Sequence, residues 1–246
     1  MEFSFMYKEG GAHPDEQKGF TDSKPIVEAS VPKIMVYPIA MHIGAPADPI
    51  VEVGDQVKVG QMVAKEGGFV SAHVYSSVSG EVVAIEKRPQ AGGGEVDSVI
   101  VKNDYAYTRA EPIVKPGHSS EMTNKKIIDT IRKAGIVGMG GATFPAAVKL
   151  APPEEAKIDT IILNGAECEP YSTSDHRVMF EYTDEVIKGI DIVSQLYPDL
   201  KNIYIGIEDN KKDVKKALEK ATADNKKVTV QTLKAMYPTL KDLKKI

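Results

Sequence analysis

The sequence predicts two architectures in series: a small all-β unit and then a parallel α/β sheet. Three observations carry that expectation. Between residues 32 and 104, short runs of β-forming residues are split by Gly-Asp, Gly-Gly and Ser-Gly turns. After residue 123 the apolar spacing becomes helical. Apolar runs at 158–163, 202–207 and 228–233 then alternate with helical stretches, which makes a parallel sheet with right-handed crossovers the expected topology.

Residues 1–31 are rich in Gly, Pro and charge and read as an irregular arm lying on another part of the molecule. In the β region, 32–104, the expected strands include 33–37, 62–64, 81–85 and 98–101. Within it, 50–61 and 74–82 resemble the paired halves of biotinyl/lipoyl-type barrel-sandwich hybrid domains. A carrier of that type needs a lysine at the hairpin tip between the halves. Here the tip reads Glu66-Gly67-Gly68-Phe69-Val70-Ser71-Ala72-His73, and Lys65 falls before the turn. The expectation is therefore a structural or docking barrel, not a swinging arm.

Residues 105–122, with Pro112 and Pro116-Gly117, read as a linker, and 123–246 as the α/β domain. Thr123 is placed to cap a helix through Ala134, with Ile127, Ile128 and Ile131 on one face and Gly135 as its stop. Pro145 suits the first turn of a further helix reaching Leu150. Residues 175–196 have helical character, and a charged helix from Lys211 to Ala221 is expected to be capped by Asp209 or Asn210.

Composition removes several function classes. A net charge of −4 speaks against a nucleic-acid binder. Lysines do gather near the C-terminus (Lys226, Lys227, Lys234, Lys241, Lys244, Lys245), but Asp224 and Asp242 interrupt them, as on a solvated helix face. The single cysteine, Cys168, allows no internal disulfide and no cluster needing about four thiolates within this chain. The five histidines show no metal-ligand spacing, so no metal site is expected. No segment reads as a signal peptide or approaches the roughly 18 apolar residues of a membrane span, so the expected location is cytoplasmic.

Two blocks carry the chemistry. The first, Gly135 to Pro145, contains Gly138, Gly140 and Gly141, where a phosphate or a flat ring could lie on bare backbone. It is neither a P-loop nor a dinucleotide fingerprint, and glycines there equally suit a tight helix–helix connection. The second, Asn164-Gly165-Ala166-Glu167-Cys168-Glu169-Pro170, follows an expected strand at its carboxyl end, where open α/β sheets bind ligands. Glu208 and Asp209 end the next strand in the same way. Together these acids and the amide could hold ribityl and ribose hydroxyls. The bland alternative makes Glu167 and Glu169 solvated loop acids, and Glu208 and Asp209 helix caps. Cys168 has no Cys-His signature and reads as a small packing residue.

Gly135 to Leu150, Asn164 to Pro170 with Asp175-His176-Arg177, and Ile205 to Asn210 together resemble the RnfC family, the C component of the Rnf electron-transport complex. Gly11-Ala12-His13-Pro14 and His42-Ile43-Gly44-Ala45-Pro46 agree, so the resemblance covers essentially the whole chain. The α/β part is similar to the FMN- and NADH-binding subunit of respiratory complex I.

The resemblance implies that Gly138, Gly140, Gly141 and Lys149 contact FMN or dinucleotide phosphates, and that Phe144 stacks on NADH. Asn164, Glu167 and Glu208, with Asp209 beside them, would line the flavin. Glu169, nearer the nicotinamide or its ribose, is the catalytic candidate. The implied reaction is hydride transfer from NADH to FMN followed by one-electron transfer. The implied setting is a membrane electron-transport complex, with this chain peripheral on the inner face of the cell membrane against other subunits. Thr143 departs from the glycine usual in the complex I relatives. Family members continue through the rest of the flavin domain and a cysteine-rich part with two [4Fe-4S] clusters, so the α/β domain is expected to be C-terminally incomplete here. The alternatives are a non-catalytic docking module of the same complex and a related flavin-dependent reductase.

Overall fold

Valine-rich alternation builds the first unit. The computed structural model describes residues 14–90, 92–113, 119–139, 142–153 and 155–235. Strands β1 (Ile34–Pro38), β3 (Gln56–Val57), β6 (Gly80–Pro89) and β7 (Glu95–Asn103) form a four-stranded antiparallel sheet in the order β1-β7-β6-β3. A second antiparallel sheet, in the order β2-β4-β5, contains β2 (Asp48–Pro49), β4 (Met62–Lys65) and β5 (Val74–Tyr75). Val57, Val82, Val99 and Val101 of the first sheet share a buried cluster with Val63 and Val74 of the second. β-branched side chains suit such a pleated interior. This is the barrel-sandwich arrangement expected from the two half-motifs.

The hairpin tip after β4 holds no lysine and presents Phe69, which is 76% exposed. It is pinned, not free. Glu66 pairs with Arg132 at 2.9 Å, and that guanidinium lies 6.0 Å from the centre of the Phe69 ring. Arg132 belongs to helix α1 (Asn124–Lys133), capped as expected by Thr123, whose hydroxyl accepts from the Lys126 amide at 3.3 Å. The short helix α2 (Ala146–Lys149) follows the glycine loop. Contacts group residues 29–156 into one compact unit, so α1, the loop and α2 go with the barrel. Inside the expected linker, Arg109 makes a parallel bridge to Val59, while 114–118 lie outside the described residues.

The other unit combines residues 157–235 with 14–28. Its strands β8 (Thr160–Gly165), β9 (Asn202–Glu208) and β10 (Val228–Leu233) are parallel, in the order β10-β9-β8. One face of this sheet, including Leu163, Ile203, Ile205 and Ile207, packs with Met179, Ile190, Val214 and Leu218 of the helices. His176 of α3 (Ser174–Glu181) and Asp213 of α5 (Lys212–Ala221) stand 2.9 Å apart and tie these two helices together. The mixed all-β and α/β fold class is therefore as the sequence predicted.

Two local expectations are corrected. The helical stretch 175–196 is two helices, α3 and α4 (Thr183–Ser194), broken at Tyr182 with φ −119° and ψ 38°. The Thr183 hydroxyl donates to the Met179 carbonyl at 2.7 Å, a local bond that competes with the helical ladder at the break. Helix α5 is capped neither by Asp209 nor by Asn210; its N-cap residue is Lys211, which makes no side-chain cap bond. Asp209 instead accepts from the Ala235 amide at 3.3 Å, and Asn210 donates to Glu16 at 2.9 Å. The C-terminal lysines Lys241, Lys244 and Lys245 lie outside the described residues.

Gly80 opens β6 at φ +149°, where a Cβ would fall 2.0 Å from the Lys102 carbonyl oxygen. Gly80→Ala is expected to lower barrel stability by about 2 kcal/mol or more, as backbone strain adds to a clash that only strand movement relieves. Gly92→Ala, with nothing within 4 Å of the added methyl, is expected to stay within about 0.5 kcal/mol of the parent. Paired urea melts check the contrast.

Candidate functional site

Parallel register brings the two acidic segments together. Asn164 lies opposite Gly206 and Gly165 opposite Ile207, so the chain leaves β8 and β9 side by side at the carboxyl edge of the sheet. β8 ends where the Asn164 side chain accepts from the Ala166 amide at 3.1 Å, a local turn that withdraws the backbone from the ladder. Gly165 is forced by packing, since a Cβ there would sit 2.8 Å from the Met179 sulfur.

The acids then divide by burial. Glu167 and Glu208 are 1% and 2% exposed, whereas Asn164, Glu169 and Asp209 are exposed. Two buried lysines neutralise the interior pair. Lys211 Nζ lies 3.4 Å from Glu167 Oε2 and 3.3 Å from Glu208 Oε2. Lys18 Nζ, from the N-terminal segment, stands 3.8 Å from Glu167 Oε2. Glu167 Oε1 accepts from the Asp175 amide at 2.8 Å and from the Ser172 hydroxyl at 3.3 Å. Glu167 Oε2 accepts no hydrogen bond from any described residue.

Neither bland reading suits Glu167 or Glu208: one is no solvated loop acid and the other no helix cap. Glu169 does have the exposure of a solvated acid. Sequence reasoning missed Lys18 and Lys211. The Glu208–Lys211 spacing of three was a usable signal for the second. For Lys18, separated from Glu167 by 149 positions, no local pattern exists.

The field of these groups perturbs two neighbours. Burial pushes the Asp175 carboxyl up, the Glu167 and Glu169 charges add to this, and Lys211 and Lys18 oppose it. Burial and then the Glu169 charge push the Cys168 thiol up, which keeps it protonated and unsuited to nucleophilic work.

The glycine loop belongs to the barrel unit. Its base is closed by the Gly138 amide donating to the Phe144 carbonyl at 2.8 Å and the Ala146 amide donating to the Ile136 carbonyl at 2.9 Å. Gly138 is exposed, and a Cβ on it would meet only Phe144 backbone atoms, at 3.7 Å, so its surface is bare backbone. Phe144 is half-buried and Lys149 exposed in the last turn of α2. Thr143 has φ +49°, a left-handed conformation that favours glycine, which gives a physical reason for the glycine usual in the complex I relatives. Gly140 and Gly141 lie outside the described residues.

An FMN group suits this donor set. Exposed Asn164 and Glu169 offer an amide and a carboxylate at the carboxyl edge of the sheet. Ribityl hydroxyls and a ring N–H are the kinds of donor that such acceptors recognise.

Comparisons with known proteins give matches over most of the chain. Residues 6–106 match the RnfC barrel sandwich hybrid domain, and residues 131–241 match the Nuo51 FMN-binding domain. The C subunit of the proton-translocating ferredoxin:NAD(+) oxidoreductase complex of Clostridium ljungdahlii is 45% identical over 93% of this chain and 50% of its own length. The Na(+)-translocating counterpart of Acetobacterium woodii is 43% identical over 93% of this chain and 52% of its own length. The C subunit of the ion-translocating oxidoreductase complex of Vibrio cholerae is 36% identical over 94% of this chain and 30% of its own length. The chain thus spans about half the length, or less, of these relatives.

Lys211→Met is expected to destabilise the α/β unit by about 3–5 kcal/mol, because it removes the ammonium nearest to two buried carboxylates. Combining it with Glu208→Gln is expected to recover part of that loss, read from urea melts. Asp175 titrates above its ordinary 3.8 in the folded state, so its contribution is fully present below pH 3.8 and is lost as pH rises through the folded value. Asp175→Asn is therefore expected to raise Tm at pH 7 and to lose that advantage near about pH 3. Thermal melts across that window check the sign.

Proposed function

Because the chain belongs to the RnfC family, we propose that it forms the flavin-binding, electron-input part of a membrane-bound NAD:ferredoxin oxidoreductase complex. The observation that carries this reading is the joint carboxyl edge of β8 and β9, with its buried charge cluster and exposed Asn164 and Glu169, inside a region matching an FMN-binding domain.

Asn164 would bind and orient the flavin at the strand edge. Glu167 and Glu208, held by Lys211, would fix the floor of the site, with Asp209 at its rim. Glu169 would meet the nicotinamide or its ribose and is the residue we assign a catalytic part. The bare backbone of Gly138, with Gly140 and Gly141 following in sequence, and the cation of Lys149 would suit phosphate, and the Phe144 ring would stack on NADH. Bound FMN would supply a two-electron acceptor for the hydride of NADH and pass electrons on singly, chemistry the apoprotein lacks. The protein's share is to orient the two ring systems and exclude water.

No helix among the described residues is long and apolar enough to cross a membrane. A peripheral position on the inner face of the cell membrane, against other subunits, fits the reading. The pinned hairpin tip with exposed Phe69 favours a second role for the barrel as a docking surface within the same complex.

Titration of the purified chain with FMN, followed by flavin fluorescence, tests the proposal. Saturable quenching is expected, with Asn164→Ala and Glu169→Gln each raising the dissociation constant by about fivefold to tenfold. Because both side chains are exposed, neither change disturbs the buried cluster. Absence of quenching would move the function to docking.

A further inference from the structure

The described part of the N-terminal arm threads onto the strand-end loop. Lys18 sits in a 3-10 turn, Lys18–Phe20, and is only 8% exposed. Its ammonium donates to three backbone carbonyls of one turn: Glu167 at 2.7 Å, Glu169 at 3.1 Å and Ser172 at 2.7 Å. An ammonium has three donors, so all of them are committed to this loop.

Neighbouring arm residues reinforce the attachment. The Tyr171 amide donates to the Glu16 carbonyl at 2.9 Å, and the Phe20 ring stacks on Tyr171 with centroids 6.3 Å apart. The Thr173 and Thr21 hydroxyls are 2.8 Å apart. Tyr171 itself holds φ +66°, a conformation a non-glycine residue keeps only where its surroundings impose it. Between β8 and α3 the loop has little backbone bonding of its own; the Ser172 amide reaches the Glu169 carbonyl at 3.3 Å. Side-chain ties hold it from within, Asn164 to the Ala166 amide and Glu167 to the Asp175 amide and the Ser172 hydroxyl, while its Glu167, Glu169 and Ser172 carbonyls are held by the arm.

We infer that Lys18 is a positioning residue for the strand-end site. By fastening three carbonyls of the Glu167–Ser172 turn, it sets where the Glu167 and Glu169 carboxylates stand, so the site is complete only with the arm docked. Lys18 acts through the loop and needs no contact with the ligand. The link to flavin rests on the function proposed above; the link to loop shape does not.

The test compares the wild-type chain with Lys18→Met, which keeps the aliphatic stem without its donors, and Lys18→Arg, which keeps charge and donors. FMN affinity is read by fluorescence, and loop order by hydrogen exchange of peptides spanning 166–175, with 203–207 as an internal reference. Lys18→Met is expected to weaken FMN binding about tenfold or more. It should also speed exchange in 166–175 while leaving 203–207 protected, and Lys18→Arg should recover most of both losses.

Wild-type affinity and exchange in Lys18→Met would overturn the inference. So would an equal rise of exchange in 203–207, which would mark a general stability role, or an Arg variant no better than Met. If Lys18→Met does not fold by circular dichroism, Glu16→Ala, which loosens the arm at the Asn210 bond, provides the same comparison. Unchanged exchange at 166–175 in that variant would then count against the arm. If wild type binds no FMN, the flavin reading falls and the exchange comparison alone decides the role of Lys18.

Discussion

Two lysines and two glutamates sharing one buried volume are the constraint on which the α/β unit depends. Each isolated charge would cost several kcal/mol to remove from water, so the two buried carboxylates depend above all on Lys211, which stands between them. The four come from four places: Lys18 from the arm, Glu167 from the loop after β8, Glu208 from the end of β9 and Lys211 from the N-cap of α5. Satisfying them together fixes the exit of two strands, the start of a helix and the course of the arm. The formal charges of the four sum to zero.

This arrangement separates buried charges from exposed ones. The buried acids are occupied by lysines and hold the loop, while exposed Asn164, Glu169 and Asp209 face outward at the same edge. In the proposed site, a charge-paired inner layer under a polar rim would limit the reorganisation a ligand must induce.

The barrel unit follows a different logic. Its stability comes from interdigitated valines of two small sheets, a directionless force that tolerates variation, while its loops are set by a few polar ties. Tyr37 accepts from the Ser77 amide at 2.9 Å, and Arg132 reaches Glu66 at the hairpin tip. The position where related carriers display a mobile lysine is here anchored to α1. That favours a fixed surface over a moving arm.

Period and punctuation by themselves determined most of the secondary structure. Strand periodicity, the Thr123 cap and the run of three parallel strands were legible because each depends on neighbours within a few residues. The carboxyl-edge location of Asn164–Glu169 and Glu208 was legible for the same reason, since strand–helix alternation dictates parallel pairing. The break at Tyr182 was not, because one threonine hydroxyl bond outweighs helical spacing only in context. The capping of α5 was misjudged because Lys211 is drawn inward by charges whose proximity no local spacing reveals. Which acids are buried, and that a lysine 149 residues away closes the loop, only the tertiary structure decided. The reason is physical: burial of a charge is set by where its countercharge arrives in space, and that is a property of the folded chain as a whole.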